Sequence, residues 1–112
     1  MSDAVTALYK EADQLKAAGD PGGAIAKLNE ALAIDPTHVL SHLALAVLCF
    51  RVGEFEQSVA HGRKACELDP TDAFNFTALS VTYQRAWQGT QKQEYIQLAE
   101  DAMAKAHMLQ GR

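Results

Sequence analysis

The segment Leu32-Ala33-Ile34-Asp35-Pro36-Thr37 returns thirty-four residues later as Cys66-Glu67-Leu68-Asp69-Pro70-Thr71, and Gly19 returns as Gly53 at the same offset. A helix-ending Asp-Pro-Thr and a turn glycine have no common local cause. One register for both therefore requires a structural unit of fixed length set against copies of itself. The stretches between these landmarks are rich in Ala, Leu, Glu, Gln and Lys, which favour helix, and Pro21, Pro36 and Pro70 all fall between such stretches. Gly19 and Gly53 stand where a helix end needs a residue at positive φ, which predicts a helix-to-helix turn at each. Ala24, Ile25, Leu28, Ala31 and Leu32 share one helical face, too wide to be left without a partner helix. From Leu40 to Phe50 only Ser41 and His42 are polar, which predicts a helix covered on both sides, in the middle of the fold. An all-α chain is expected.

Slot by slot, the pattern resembles the tetratricopeptide repeat, whose unit of about 34 residues runs through a Trp-like residue, Leu-Gly, Tyr, then Ala, an aromatic, Ala and Pro. Leu8, Ala12, Leu15, Ala24, Leu28, Ala31 and Pro36 fill the first unit, with Glu11 departing in the Leu slot. In the second, Leu45-Ala46, Cys49, Ala65 and Pro70 fit, while His42, Ser58 and Gly62 depart. The third offers Phe76, Leu79-Ser80, Tyr83, Ala99, Met103 and Ala106, with about seven extra residues around its central turn. That insertion puts Trp87 where a turn glycine is expected, followed by Gln88 to Gln93 and a last helix over 94–109. The resemblance implies a right-handed solenoid of three helix-turn-helix pairs in a single domain, 1–112, with units of about 4–36, 37–70 and 71–110. First helices would line a concave groove and second helices lie outside, each unit burying its apolar face on a neighbour.

The same resemblance gives groove-facing slots to Thr6, Tyr9, Asp13 and Lys16, to Leu40, Leu43, Val47, Phe50 and Arg51, and to Phe74, Thr77, Val81, Gln84 and Arg85. One branch of the family grips acidic chaperone tails with Lys, Asn, Asn, Lys and Arg on these helices. Those slots here hold Tyr9, Asp13, Ala44, Phe74 and Ala78, so no such clamp is expected. Leu40, Leu43, Val47, Phe50, Phe74 and Val81 would instead form an apolar floor for an amphipathic helix or hydrophobic peptide. For Leu43 and Val47, burial in the core is the competing assignment. Arg51 and Arg85, thirty-four apart, would make a cationic row with Lys16, either holding a partner carboxylate or forming a solvated face at helix C-termini. The expected function is an adaptor that binds another protein or peptide in its groove.

A self-assembling structural protein is the alternative. Tyr95, Leu98, Met103, Met108 and Leu109 give the last helix more apolar surface than one flank requires, which either a second copy or the longer third hairpin itself would cover. Trp87 is correspondingly read as an interface anchor near an exposed turn, or as a seal over Tyr83.

Other classes fit poorly. The longest apolar run, Leu43 to Phe50, has eight residues, against the roughly 18 a spanning helix needs. The first residues show no basic start followed by an apolar stretch, so no export signal and a cytoplasmic location are expected. A net charge of −4 argues against nucleic acid. His38 and His42 have the spacing of a zinc-binding pair, but no Glu follows His38 and no third ligand stands nearby. His61 and His107 look isolated. Gly19-Asp20-Pro21-Gly22-Gly23 lacks the Lys-Ser/Thr of a phosphate loop. Cys49 and Cys66 form no CxxC motif and read as reduced core thiols, Cys49 with a raised pKa. No catalytic residue, metal or cofactor is expected.

Overall fold

The computed structural model describes residues 3–111, which form α1 (Asp3–Ala17), α2 (Pro21–Ile34), α3 (Val39–Arg51), α4 (Phe55–Leu68), α5 (Ala73–Thr90) and α6 (Glu94–Gln110). They build a right-handed solenoid of three helix-turn-helix pairs. Short connections force each pair into an antiparallel hairpin, and the repeated sequence landmarks make these connections. Gly19 and Gly53 take φ of 84° and 81°. Each lets the chain fold back so that the next amide reaches the last helical turn, Asp20 N–H donating to Leu15 O and Glu54 N–H to Cys49 O. Asp20 then caps α2, its carboxylate accepting from Gly23 N–H at 2.9 Å, with Pro21 at the first helical position. Asp72 caps α5 through Phe74 N–H at 2.9 Å.

The third hairpin differs from the sequence expectation. Trp87 lies inside α5 rather than in a turn, and the left-handed residue is Gln91 (φ 61°). Its amide donates to Trp87 O, so α5 runs to 18 residues where α3 has 13. Packing supports the longer helix. A Cβ on Gly89 would lie 2.3 Å from the Phe55 ring, so only glycine lets the start of α4 press against this part of α5. Thr90 Oγ1 donates to Ala86 O at 2.7 Å, and Lys92 pairs with Glu56 at 3.7 Å.

Two apolar clusters form the core. Ala12, Ala24, Leu28, Leu45, Leu48 and Cys49 join α1, α2 and α3. Val59, Cys66, Leu79, Tyr83, Ala86, Tyr95, Ala99 and Ala102 join α4, α5 and α6. The departures at Ser58 and Gly62 have a packing reason. Ser58 is buried and its hydroxyl donates to Ala46 O, pinning α4 on α3. A Cβ on Gly62 would meet Leu79 Cδ1 at 3.2 Å, so α5 approaches α4 across a position with no side chain. Ser80, donating to Ala99 O at 2.9 Å, ties α5 to α6 in the way that Ser58 ties α4 to α3. Tyr95, expected among the last helix's surplus apolar surface, is instead buried and stacked on Tyr83 with ring centroids 5.9 Å apart. The large apolar residues exposed on α6 are Ile96 and Met108.

Candidate functional site

The inner surface of α3 and α5 carries an apolar groove of 280 Å³ whose walls include Leu43, Val47, Phe74, Thr77, Val81 and Arg85. Its existence follows from side-chain size. Ala46, Gly62 and Ala78 lie at its base, and between the larger side chains on either helix they leave a hollow. Phe74 stands at one wall with 64% of its surface exposed, unusual for an aromatic with no partner to cover it. Leu43 and Val47 are half-buried along the groove. Leu40 lies on the exposed side of α3, near its start.

Phe50 and Arg85 meet directly. The Arg85 guanidinium sits over the Phe50 ring, 5.2 Å from its centroid, and Phe55 packs on the same ring at 5.9 Å. Arg85 is thereby held at the groove rim by a cation–π contact, and Arg51 is exposed. Lys16 pairs with Asp13 at 3.4 Å on α1. Tyr9 is apart from the groove. It meets His38 edge-on at 5.7 Å and borders a recess of only 20 Å³ between α1 and α3, with Asp13, Lys16 and Leu28.

Trp87 belongs to a second hollow. Ser80, Gln84 and Trp87 of α5 and Ile96, Ala99 and Met103 of α6 bound an apolar cleft of 520 Å³, with Gln88 and Glu100 at its rim. Trp87 packs partly on the Tyr83 and Tyr95 cluster, yet its Nε1 is buried without an acceptor. The sequence offers a signal for this cleft, because α6 repeats a lateral stripe at Ile96, Glu100, Met103 and His107 beside its buried face of Tyr95, Ala99, Ala102 and Ala106.

The histidines form a contact that sequence spacing does not show. His61, expected to be isolated, lies with its Nδ1 3.0 Å from His42 Nδ1, the two rings bridging α3 and α4. His42 Nε2 donates to Pro36 O at 2.9 Å, because a carbonyl only accepts. With both rings neutral, His61 Nδ1–H is then the donor to His42 Nδ1. Burial, followed by the nearby His42, holds the His61 pKa below its ordinary value. His38 turns away to Ser41 Oγ at 2.6 Å, so His38 and His42 do not converge. Among the described residues no group of three or more His, Cys, Asp or Glu is placed to hold a metal ion. Both cysteines are buried and free. Burial, with Glu54 near Cys49 and Glu67 near Cys66, pushes each thiol up to about 11. No helix among the described residues is long and apolar enough to cross a membrane.

Comparison with known proteins agrees with this architecture. A family model described as tetratricopeptide repeat matches residues 15–73. No curated protein matches the chain. The solved second TPR of Spaghetti (RPAP3), bound to the HSP90 peptide SRMEEVD, shares 15% identity and a TM-score of 0.77 over 96% of this chain and 93% of its own. The first TPR of the same protein, bound to the same peptide, gives 14% identity and a TM-score of 0.68 over 100% and 97%. The crystal structure of MamA gives 16% and 0.63 over 96% and 78%. Similarity at these identities is a similarity of fold.

Proposed function

Because the chain belongs to the tetratricopeptide repeat family, we propose that it is a protein-interaction module that seats an apolar segment of a partner protein, helical or extended, between α3 and α5. The observation that supports this most is the exposed Phe74 ring beside Val81, Leu43 and Val47 in one groove. Covering a side chain of that size is worth about 1.5–3 kcal/mol, enough for one aromatic to act as an anchor. Arg85, held over Phe50, offers its outward N–H groups to a carbonyl or carboxylate at the rim.

This reading departs from the acidic-peptide recognition seen in the two Spaghetti structures. Asp13 and Phe74 stand at slots where the family's clamp places cationic or amide side chains, and an acidic tail would meet repulsion at one and an apolar ring at the other. The assignment is of binding and not of catalysis, since both thiols are held protonated and the His42–His61 pair is closed on itself between helices. It treats 1–112 as one domain with units of about 4–36, 37–70 and 71–110. We place the protein in the cytoplasm, where two free thiols stay reduced.

The test uses two fluorescent peptides, SRMEEVD and an amphipathic helix with Leu at i, i+3 and i+7 and no net charge, titrated with the native chain and with Phe74→Ser. The neutral helix is expected to bind more tightly, and Phe74→Ser to weaken it about tenfold without lowering the melting temperature. Tighter binding of SRMEEVD, or unchanged helix binding by Phe74→Ser, would overturn the reading.

A further inference from the structure

We propose that the α5/α6 cleft is the interface of a two-fold dimer, in which α6 of a second copy of this chain lies antiparallel across α6 of the first. The proposal does not depend on the α3/α5 groove.

The internal register identifies the cleft. Ala12 and Leu28 form a hollow on the first hairpin, and Leu45 and Leu48 of α3 fill it. Gly62 of the second hairpin receives Leu79 and Thr82 of α5. On the third hairpin, Ser80, Ala99 and Met103 stand at the equivalent slots, and no described helix fills the 520 Å³ they leave. The cleft is thus shaped to receive a helix.

The opposite end of the stack excludes head-to-tail filling by another copy. Glu11 and Gln14 of α1 occupy the slots at which α3 presents Leu45 and Leu48, and both are exposed. Driving Glu11, ion-paired to Lys27 at 3.6 Å, and Gln14 into an apolar cleft would strip water from a charge pair and an amide. Self-association through the cleft is therefore isologous, the same surface used twice and closed at two copies.

Charge order along α6 suits that symmetry. Ile96, Glu100 and Met103 border the cleft at i, i+4 and i+7, and His107, at i+11, continues their stripe beyond it. Two such stripes crossing antiparallel near Met103 bring Glu100 of each copy opposite His107 of the other, so the apolar centre is flanked twice by complementary groups. A parallel crossing would set Glu100 against Glu100.

The experiment is sedimentation velocity on the full chain from micromolar to millimolar concentration, with fluorescence of the single tryptophan, Trp87, as a local reporter. A concentration-dependent dimer is expected, with the Trp87 spectrum shifting in step. Met103→Glu should weaken it about tenfold or more while helix content is kept. Glu100→Lys and His107→Glu should each weaken dimerisation, and the double exchange should restore it, because only the antiparallel crossing makes these residues partners. A chain that stays monomeric at millimolar concentration overturns the proposal. So does a dimer indifferent to Met103→Glu, or a charge exchange without rescue. A monomer whose Trp87 signal responds only to an added amphipathic peptide would assign the cleft to a foreign helix instead.

Discussion

Leu28 and Met103 occupy the same slot of the repeat, but the structure gives them opposite surroundings. Leu28 is buried, with 1% of its surface exposed, under Leu45 and Leu48 of α3. Met103 is half-buried at the wall of an open cleft. Leu28→Ala removes three carbons that are fully withdrawn from water, worth about 0.8 kcal/mol each, or about 2.4 kcal/mol of transfer free energy. The cavity left behind adds to this. The recess beside Leu28, at 20 Å³, shows that the neighbouring side chains already fall slightly short of filling the space, so they are poorly placed to collapse into more. A total near 3–4 kcal/mol is expected, within the usual range of about 2–5 for such truncations. Met103→Ala removes carbons that still touch solvent and leaves no closed cavity, so less than about 1 kcal/mol is expected.

For a chain of this size each kcal/mol moves the melting temperature by roughly 4 °C, or somewhat more, so Leu28→Ala should lower it by about 12 °C or more and Met103→Ala by no more than a few degrees. The assay is thermal unfolding by far-UV circular dichroism at low micromolar concentration, below the range of self-association. Equal losses would refute the reasoning, since they would mean that Met103 is covered within the monomer and that the cleft is not open.

Ala65→Leu should cost about 1–3 kcal/mol by overpacking a helix contact that leaves Ala65 no exposed surface, whereas Lys27→Ala breaks only partly exposed pairs to Glu11 (3.6 Å) and Glu30 (3.9 Å) and should cost less than about 1 kcal/mol. Equal melting temperatures for the two variants would show the packing register to be wrong. Since the folded pKa of His61 lies below its unfolded value, the unfolded chain takes up the proton first. Stability should be full above about pH 6.5 and fall as the pH drops below it. Melting temperatures at pH 7.5 and 5.5 should differ more for the native chain than for His61→Gln, and parallel pH dependence would remove His61 as the cause.

The sequence read well wherever a landmark fixed backbone geometry. Gly19 and Gly53 needed positive φ, and the repeat slots at 24, 28, 31 and 65 assigned the packed faces, so the first two hairpins were legible in outline. The third was not. Trp87 carried no backbone instruction of its own, and the turn went to Gln91, a non-glycine residue in the left-handed region. What lengthens α5 there is tertiary, the Phe55 ring lying on Gly89 from another hairpin, and no local pattern states that two such residues meet. The groove was partly legible because repeat slots assign faces, which brought Leu43, Val47, Phe74, Val81 and Arg85 together. The stacking of Arg85 on Phe50 and the contact of His42 with His61 depend on side-chain rotation between helices, and the register does not specify it.

The placement of both surfaces turns on α5. Its buried side presents Leu79, Tyr83 and Ala86 to the core. A second face, with Phe74, Val81 and Arg85, looks onto the groove shared with α3. A third, with Ser80, Gln84 and Trp87, looks into the cleft shared with α6. At 100° per residue these sets diverge around one helix, and no residue lines both hollows. The apolar residues needed on more than one side also explain why α5 lacks the clean polar face of a surface helix. Because the two surfaces use different side chains of one rigid element held by the Tyr83–Tyr95 stack, a dimer formed through α6 leaves the groove of each copy open. The proposed pair would then present two partner-binding grooves related by a two-fold axis, so that binding to a partner carrying two suitable segments gains from effective concentration without any new contact.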